Sequence, residues 1–229
     1  TQPGRFSMLQ RTAPRFGLSA ALLCLSALLF SAAAPAQADT LVEGQDYQLI
    51  DPPVPTRADG KIEVVEVFGY SCSHCANFAP IITEWKKSQP DDVVVEYVPA
   101  VFGGIWEIYA RVYYTAEAMG VTERTHDALF HALHTERRQI GKLEDIADFY
   151  AEHGVDKEQF LSTIDSFVVN SKIADARTRV AGYGVEGTPT IIVAGKYRVM
   201  APREGGYPRM LEITDALVAR ERAAKAGGN

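Results

Sequence analysis

The residues Lys61 to Tyr70 read KIEVVEVFGY, and they run straight into Ser71-Cys72-Ser73-His74-Cys75 and then Phe78, Ile81, Ile82 and Trp85 at helical spacing. A β-branched and aromatic run with little polar interruption predicts a strand buried on both faces, and the 3.6-residue period after it predicts a helix. The two cysteines therefore sit at the turn from strand to helix. A second apolar run, Val93 to Val98, follows a Pro90-Asp91-Asp92 turn and completes a β-α-β unit. Its strands are expected to be parallel, since a helix carries the chain back to start the second one.

From Gly104 onward the period is helical. Ile105, Tyr109, Val112, Ala116 and Met119 line one face before Gly120. A second helix covers about Thr125 to His134, a third Leu143 to Gly154, and Asp156 with Gln159 forms a capping box for a fourth. Val169, Ile173, Ala176 and Val180 define a fifth, stopped by Gly182-Tyr183-Gly184. Strand patterning then returns at Thr190 to Val193 and Tyr197 to Met200 around a Gly195 turn, with a last helix from about Gly206 to Ala224. The expected fold class is α/β: a mixed sheet flanked by helices, built from a first part (39–103) and a second part (184–229), with an all-helical domain (104–183) inserted between them.

Composition excludes several function classes. With 47% hydrophobic and 23% charged residues the chain is neither disordered nor low-complexity, and a net charge of −6 offers no basic surface for nucleic acid or anionic lipid. Residues 1–38 hold Arg5, Arg11 and Arg15 but no acid, then an apolar run from Leu18 to Phe30, then small residues ending Ala36-Gln37-Ala38. This order predicts a cleaved secretory signal; the alternative, a retained anchor, needs a longer apolar core. Cleavage removes Cys24 and leaves one cysteine pair in an exported protein, where disulfides persist.

For that pair, a zinc site lacks further ligands of the usual spacing, since His126, His131, His134 and His153 lie in the helical block. Haem attachment requires His directly after the second cysteine, but Ala76 follows Cys75. An inert disulfide would close a tiny loop and stabilise little. Thiol–disulfide chemistry is the favoured reading. Near a helix N-cap, free backbone N–H groups and the helix dipole favour a thiolate, which makes Cys72 the reactive cysteine and Cys75 its resolving partner. A disulfide whose reduced form is stabilised in this way is an oxidant.

Three further features bear on this chemistry. His74 either tunes the Cys72 sulfur or is an exposed helix-start residue without a role. Thr188-Pro189, directly before an apolar strand, is either a cis turn abutting the redox helix or an ordinary trans strand start. Glu66, on the strand face of Val64 and Phe68, is either a buried carboxylate moving protons for Cys75 or a residue at a solvated margin.

The sequence resembles the DsbA family of periplasmic thiol:disulfide oxidoreductases in EVVEVFGYSCSHCANF (63–78), VPAVFGGIW (98–106), the helical block and VEGTPTIIVAGKY (185–197). The resemblance implies a thioredoxin-like fold with a helical insertion and a periplasmic location. It also implies roles: Cys72 as nucleophile, Cys75 as partner, His74 as tuning residue, Thr188-Pro189 as the cis-proline loop and Glu66 as buried acid. The implied partners are newly exported Cys-containing proteins and a quinone-linked membrane reoxidant resembling DsbB, with no metal or organic cofactor. Departures from the family are Ser73-His74 for the frequent Pro-His, Thr188 for the frequent Val, and Ala79 and Glu96 for a Glu and a Lys of its best-known member. Only the 23 residues from 39 to 61 precede the first long strand, so a monomer is expected rather than an isomerase with a leading dimerisation domain. The rivals are an isomerase or reductase of the same fold, and a non-enzymatic holdase that would survive Cys72→Ser.

Overall fold

A computed structural model describes residues 41–227 and opens on a strand of two residues, β1 (Gln48–Leu49), which has no signature in the sequence. Then follow β2 (Ile62–Phe68), α1 (Ser73–Lys87) and β3 (Val93–Pro99), the expected β-α-β unit, with β2 and β3 parallel from Ile62 opposite Val93 to Phe68 opposite Pro99. Five helices come next: α2 (Ile105–Ala118), α3 (Thr122–His134), α4 (Leu143–Glu152), α5 (Lys157–Thr163) and α6 (Phe167–Gly182). The chain closes with β4 (Thr190–Val193), β5 (Tyr197–Met200) and α7 (Gly206–Gly227). The predicted export signal, residues 1–38 with Cys24, lies outside the described residues.

The sheet runs in the order β1-β5-β4-β2-β3, with every pair except β2–β3 antiparallel. β2 lies inside the sheet, between β4 and β3, and every one of its residues is buried, as an almost unbroken apolar run requires. Its side chains alternate between two cores. Ile62 and Val64 meet Phe78, Ile82 and Trp85 of α1 and Met210, Ile213 and Leu217 of α7; Val65 and Val67 face a larger core shared with α2 to α6. Each such aliphatic side chain, fully withdrawn from water, contributes about 1.5–3 kcal/mol. Asp215 on α7 accepts from Trp85 Nε1 at 2.9 Å, tying the two helices of the first face together.

Helix boundaries follow local chemistry. Asp156 and Ser166 cap α5 and α6 by accepting from the N–H groups of Gln159 (2.7 Å) and Val169 (3.3 Å). α3 begins at Thr122, a turn before the expected Thr125, behind Val121, which provides no side-chain cap. The start is hidden in sequence because no capping residue marks it.

On the second face of the sheet a buried ion cluster joins the helical block to the strands. Arg179 of α6 donates through both terminal nitrogens to the Glu96 carboxylate of β3, at 2.7 and 2.8 Å, and approaches Glu63 of β2 at 3.4 Å. Its Nε donates to the Tyr183 hydroxyl at 3.0 Å. Glu63 also accepts from the Arg57 backbone N–H at 2.7 Å, and the Arg57 guanidinium pairs with Asp175 of α6. Glu96, a departure from the family pattern in sequence, is thus one half of a bidentate pair.

Candidate active site

The segment between β2 and α1 is held from several sides. Cys72 N–H donates to Gly69 O at 3.0 Å, His134 Nε2 lies 2.7 Å from Tyr70 O, and the Tyr70 hydroxyl lies 2.8 Å from His126 Nδ1. Gly69 is dictated by packing. A Cβ there would stand 2.1 Å from the Trp106 ring, so no larger residue fits without displacing that indole. These contacts fix where α1 starts, and Cys72 is its N-cap, with an extended backbone (φ −90°, ψ 115°).

As N-cap, the Cys72 sulfur accepts from the Cys75 N–H at 3.4 Å, and it lies 3.5 Å from Thr188 O. Cys72 is partly exposed and Cys75 fully buried, and the two are unbonded, so this is the reduced pair. The thiol of Cys75, donating to Cys72, is the largest influence on Cys72; with help from Thr188 and from the Cys75 and His74 backbone N–H groups it outweighs burial and holds the Cys72 pKa at about 5. The same hydrogen bond, seen from the donor, pushes Cys75 far up, and burial adds to it. One cysteine is ionised at neutral pH and the other is not.

The Thr188–Pro189 bond is cis, which selects between the two sequence readings, and the loop sits against the sulfurs through Thr188. The Thr188 hydroxyl is buried there too, and it favours the thiolate form of the sulfurs beside it. Glu66 is 2% exposed, so the buried reading is the one observed. Its strand register places it beside Ile191 of β4 and Tyr97 of β3. Burial chiefly, with the charges of Asp127 and Cys72 behind it, raises the Glu66 pKa to about 8, and Glu66 in turn acts on Cys75. At neutral pH it carries a proton.

His74 is exposed, and its ring Nδ1 faces the hydroxyl of Tyr207 at 3.4 Å, while its backbone N–H supports the Cys72 thiolate. Tyr207 carries no signal in the sequence, and neither do Lys86, Tyr97 and Asp127 around Glu66. His126 is buried, stacks on Tyr97 and is held down to about 3 by burial, so it stays neutral. Among the described residues no set of three or more His, Cys, Asp or Glu is placed to hold a metal ion, and no helix is long and apolar enough to cross a membrane.

The family model described as a DSBA-like thioredoxin domain matches residues 63–205. The chain belongs to the DsbA family. Its relatives include the thiol:disulfide interchange protein DsbA of Pseudomonas aeruginosa, 42% identical over 204 residues, covering 89% of this chain and 95% of the relative. The protein of the same name from Bordetella parapertussis is 34% identical over 206 residues, covering 90% and 96%. Among solved structures, P. aeruginosa DsbA superposes with a TM-score of 0.78 at 42% identity, covering 82% of this chain and 98% of that one. The oxidoreductase DsbA from Xylella fastidiosa gives 0.75 at 40%, covering 80% and 98%. The chain is accordingly a DsbA-like thiol:disulfide interchange protein, an oxidoreductase on a thioredoxin-like fold, as the motif and its strand–helix setting led one to expect.

Proposed function

We propose that this DsbA-family chain is a dithiol oxidase that passes a Cys72–Cys75 disulfide to newly exported proteins. A substrate thiolate attacks the partly exposed Cys72 sulfur, forming a mixed disulfide and expelling Cys75 as a thiolate. Glu66, protonated at neutral pH and electrostatically linked to Cys75, supplies the proton the buried sulfur needs. A second substrate thiolate then attacks the substrate sulfur of the mixed disulfide and displaces Cys72, an easy leaving group because its thiolate is stable. The substrate loses two electrons and two protons overall; the chain takes up the electron pair and one proton, ending as a Cys72 thiolate and a Cys75 thiol, and the other proton passes to solvent. A quinone-linked membrane partner resembling DsbB takes those electrons back. His74 and the Thr188-Pro189 loop shape the sulfur's surroundings, and the Arg-first, apolar, small-residue order of 1–38 supports a periplasmic location. We take the protein to act as a monomer.

The observation that carries this reading is the split between the two sulfurs, one held at about 5 and one pushed far up. Stabilising the reduced form makes the disulfide oxidising. Equilibration with glutathione buffers tests it. The expected couple is more oxidising than about −180 mV, the level of protein disulfide isomerase, and a couple near the about −270 mV of thioredoxin would establish the reductase reading instead. Oxidation of a reduced, unfolded protein should be lost in Cys72→Ser. Refolding assistance that survives that change would favour the holdase.

A further inference from the structure

We infer that Tyr207, the second residue of α7, is a positioning residue for the redox pair and acts on Cys72 through the peptide group that joins His74 to Cys75. The inference rests on Cys72 being the ionised cysteine. The Tyr207 hydroxyl donates to the His74 carbonyl oxygen at 3.0 Å. That carbonyl belongs to the same peptide group as the Cys75 N–H, which donates to the Cys72 sulfur at 3.4 Å. An uninterrupted series therefore runs from phenol O–H to C=O, across the amide, and from N–H to sulfur.

A donor on the carbonyl oxygen draws electron density toward it and makes the N–H at the other end of the amide a stronger donor. Hydrogen bonds in such chains strengthen one another by about 10–30% each. The recipient here is an anion, for which a hydrogen bond is worth the most.

The direction of donation is settled by chemistry. A phenol has one proton and a carbonyl oxygen only accepts, so the proton lies between Tyr207 and His74 O. The phenol oxygen keeps its lone pairs for Nδ1 of His74, 3.4 Å away. Burial, with the Cys72 thiolate behind it, raises the Tyr207 pKa, so the donor keeps its proton at neutral pH. Packing sets the geometry: the Tyr207 ring rests on Phe78 of α1, with centroids 5.1 Å apart. The first turn of α7 is thereby coupled to the first turn of α1, where the thiolate sits.

Tyr207→Phe keeps the ring on Phe78 and removes only the hydroxyl. In the full-length reduced variant the thiolate absorbance of Cys72 should titrate about half a pH unit higher than in the parent. The equilibrium with glutathione should move about threefold toward the protein disulfide, while the oxidised variant melts with the parent. His74→Ala removes the imidazole but keeps the carbonyl, so the same shift is expected when Tyr207→Phe is added to it. A parent that titrates near 5 with an unchanged Tyr207→Phe overturns the role of Tyr207 alone. So does an effect that disappears in the His74→Ala background, which would route it through the ring. A parent titrating near an ordinary thiol's about 8.5 overturns both this inference and the reading beneath it.

Discussion

The reduced protein is expected to gain stability over the oxidised protein as pH rises from about 5 to about 8.5, by about 2–4 kcal/mol in total. Cys72 has a folded pKa of about 5, below the about 8.5 of an unfolded thiol, so its contribution is complete above the unfolded value and is lost as pH falls through the folded one. The full linkage slope is about 1.4 kcal/mol per pH unit, and partial exposure of the sulfur reduces it. Above about 8.5 the gain reverses, because Cys75 stays protonated in the fold while its unfolded counterpart ionises.

Glu66 has the opposite sign. With a folded pKa raised to about 8, it favours folding least above that value and its stabilising share fades as pH climbs from the carboxylate range. Burial is the main cause and is common to both redox forms, so this contribution largely cancels in the comparison. Denaturant unfolding of both forms at several pH values measures the difference. A difference that is flat across the window would contradict an ionised Cys72.

Arg179→Ala is expected to destabilise the protein by about 3–5 kcal/mol, equally in both redox forms. Arg179 and Glu63 are almost fully buried, and removing the guanidinium strips the buried Glu63 carboxylate and the partly exposed Glu96 carboxylate of the cation they share. The loss arises from uncompensated buried charge rather than from a missing attraction. Arg179→Lys restores the charge but not the paired donors to Glu96, so it should recover only part of the loss. Chemical denaturation gives both values. A loss below about 1 kcal/mol would mean that the cluster behaves like an exposed ion pair.

What the sequence disclosed was local. The strand from Ile62, the helix from Ser73 and the cysteine at its cap are set by neighbours within a few residues, and periodicity reports such relations directly. β1 was invisible because two exposed edge residues carry no pattern, and the Thr122 start of α3 because it lacks a cap. The family resemblance supplied roles for Cys72, Cys75, His74, Thr188, Pro189 and Glu66, and the fold gathers the motif, the Thr188 loop and Glu66 into one electrostatic neighbourhood. Contacts between distant segments were not legible. Tyr207 stands 133 positions from His74, and Arg179 83 from Glu96, so neither residue type nor spacing points from one to the other. In sequence Glu96 was a substitution for an expected lysine; only its place opposite Arg179 explains it.

At neutral pH Cys72 is a thiolate and Cys75 is not. The most direct measurement is the ultraviolet thiolate absorbance of the reduced protein, referenced to the oxidised form, titrated from about pH 3 to about pH 9. One transition centred near 5 is expected, absent from Cys72→Ser, with no second thiolate appearing below the ordinary range of a free thiol. A first transition near about 8.5, or one that survives Cys72→Ser, would contradict it.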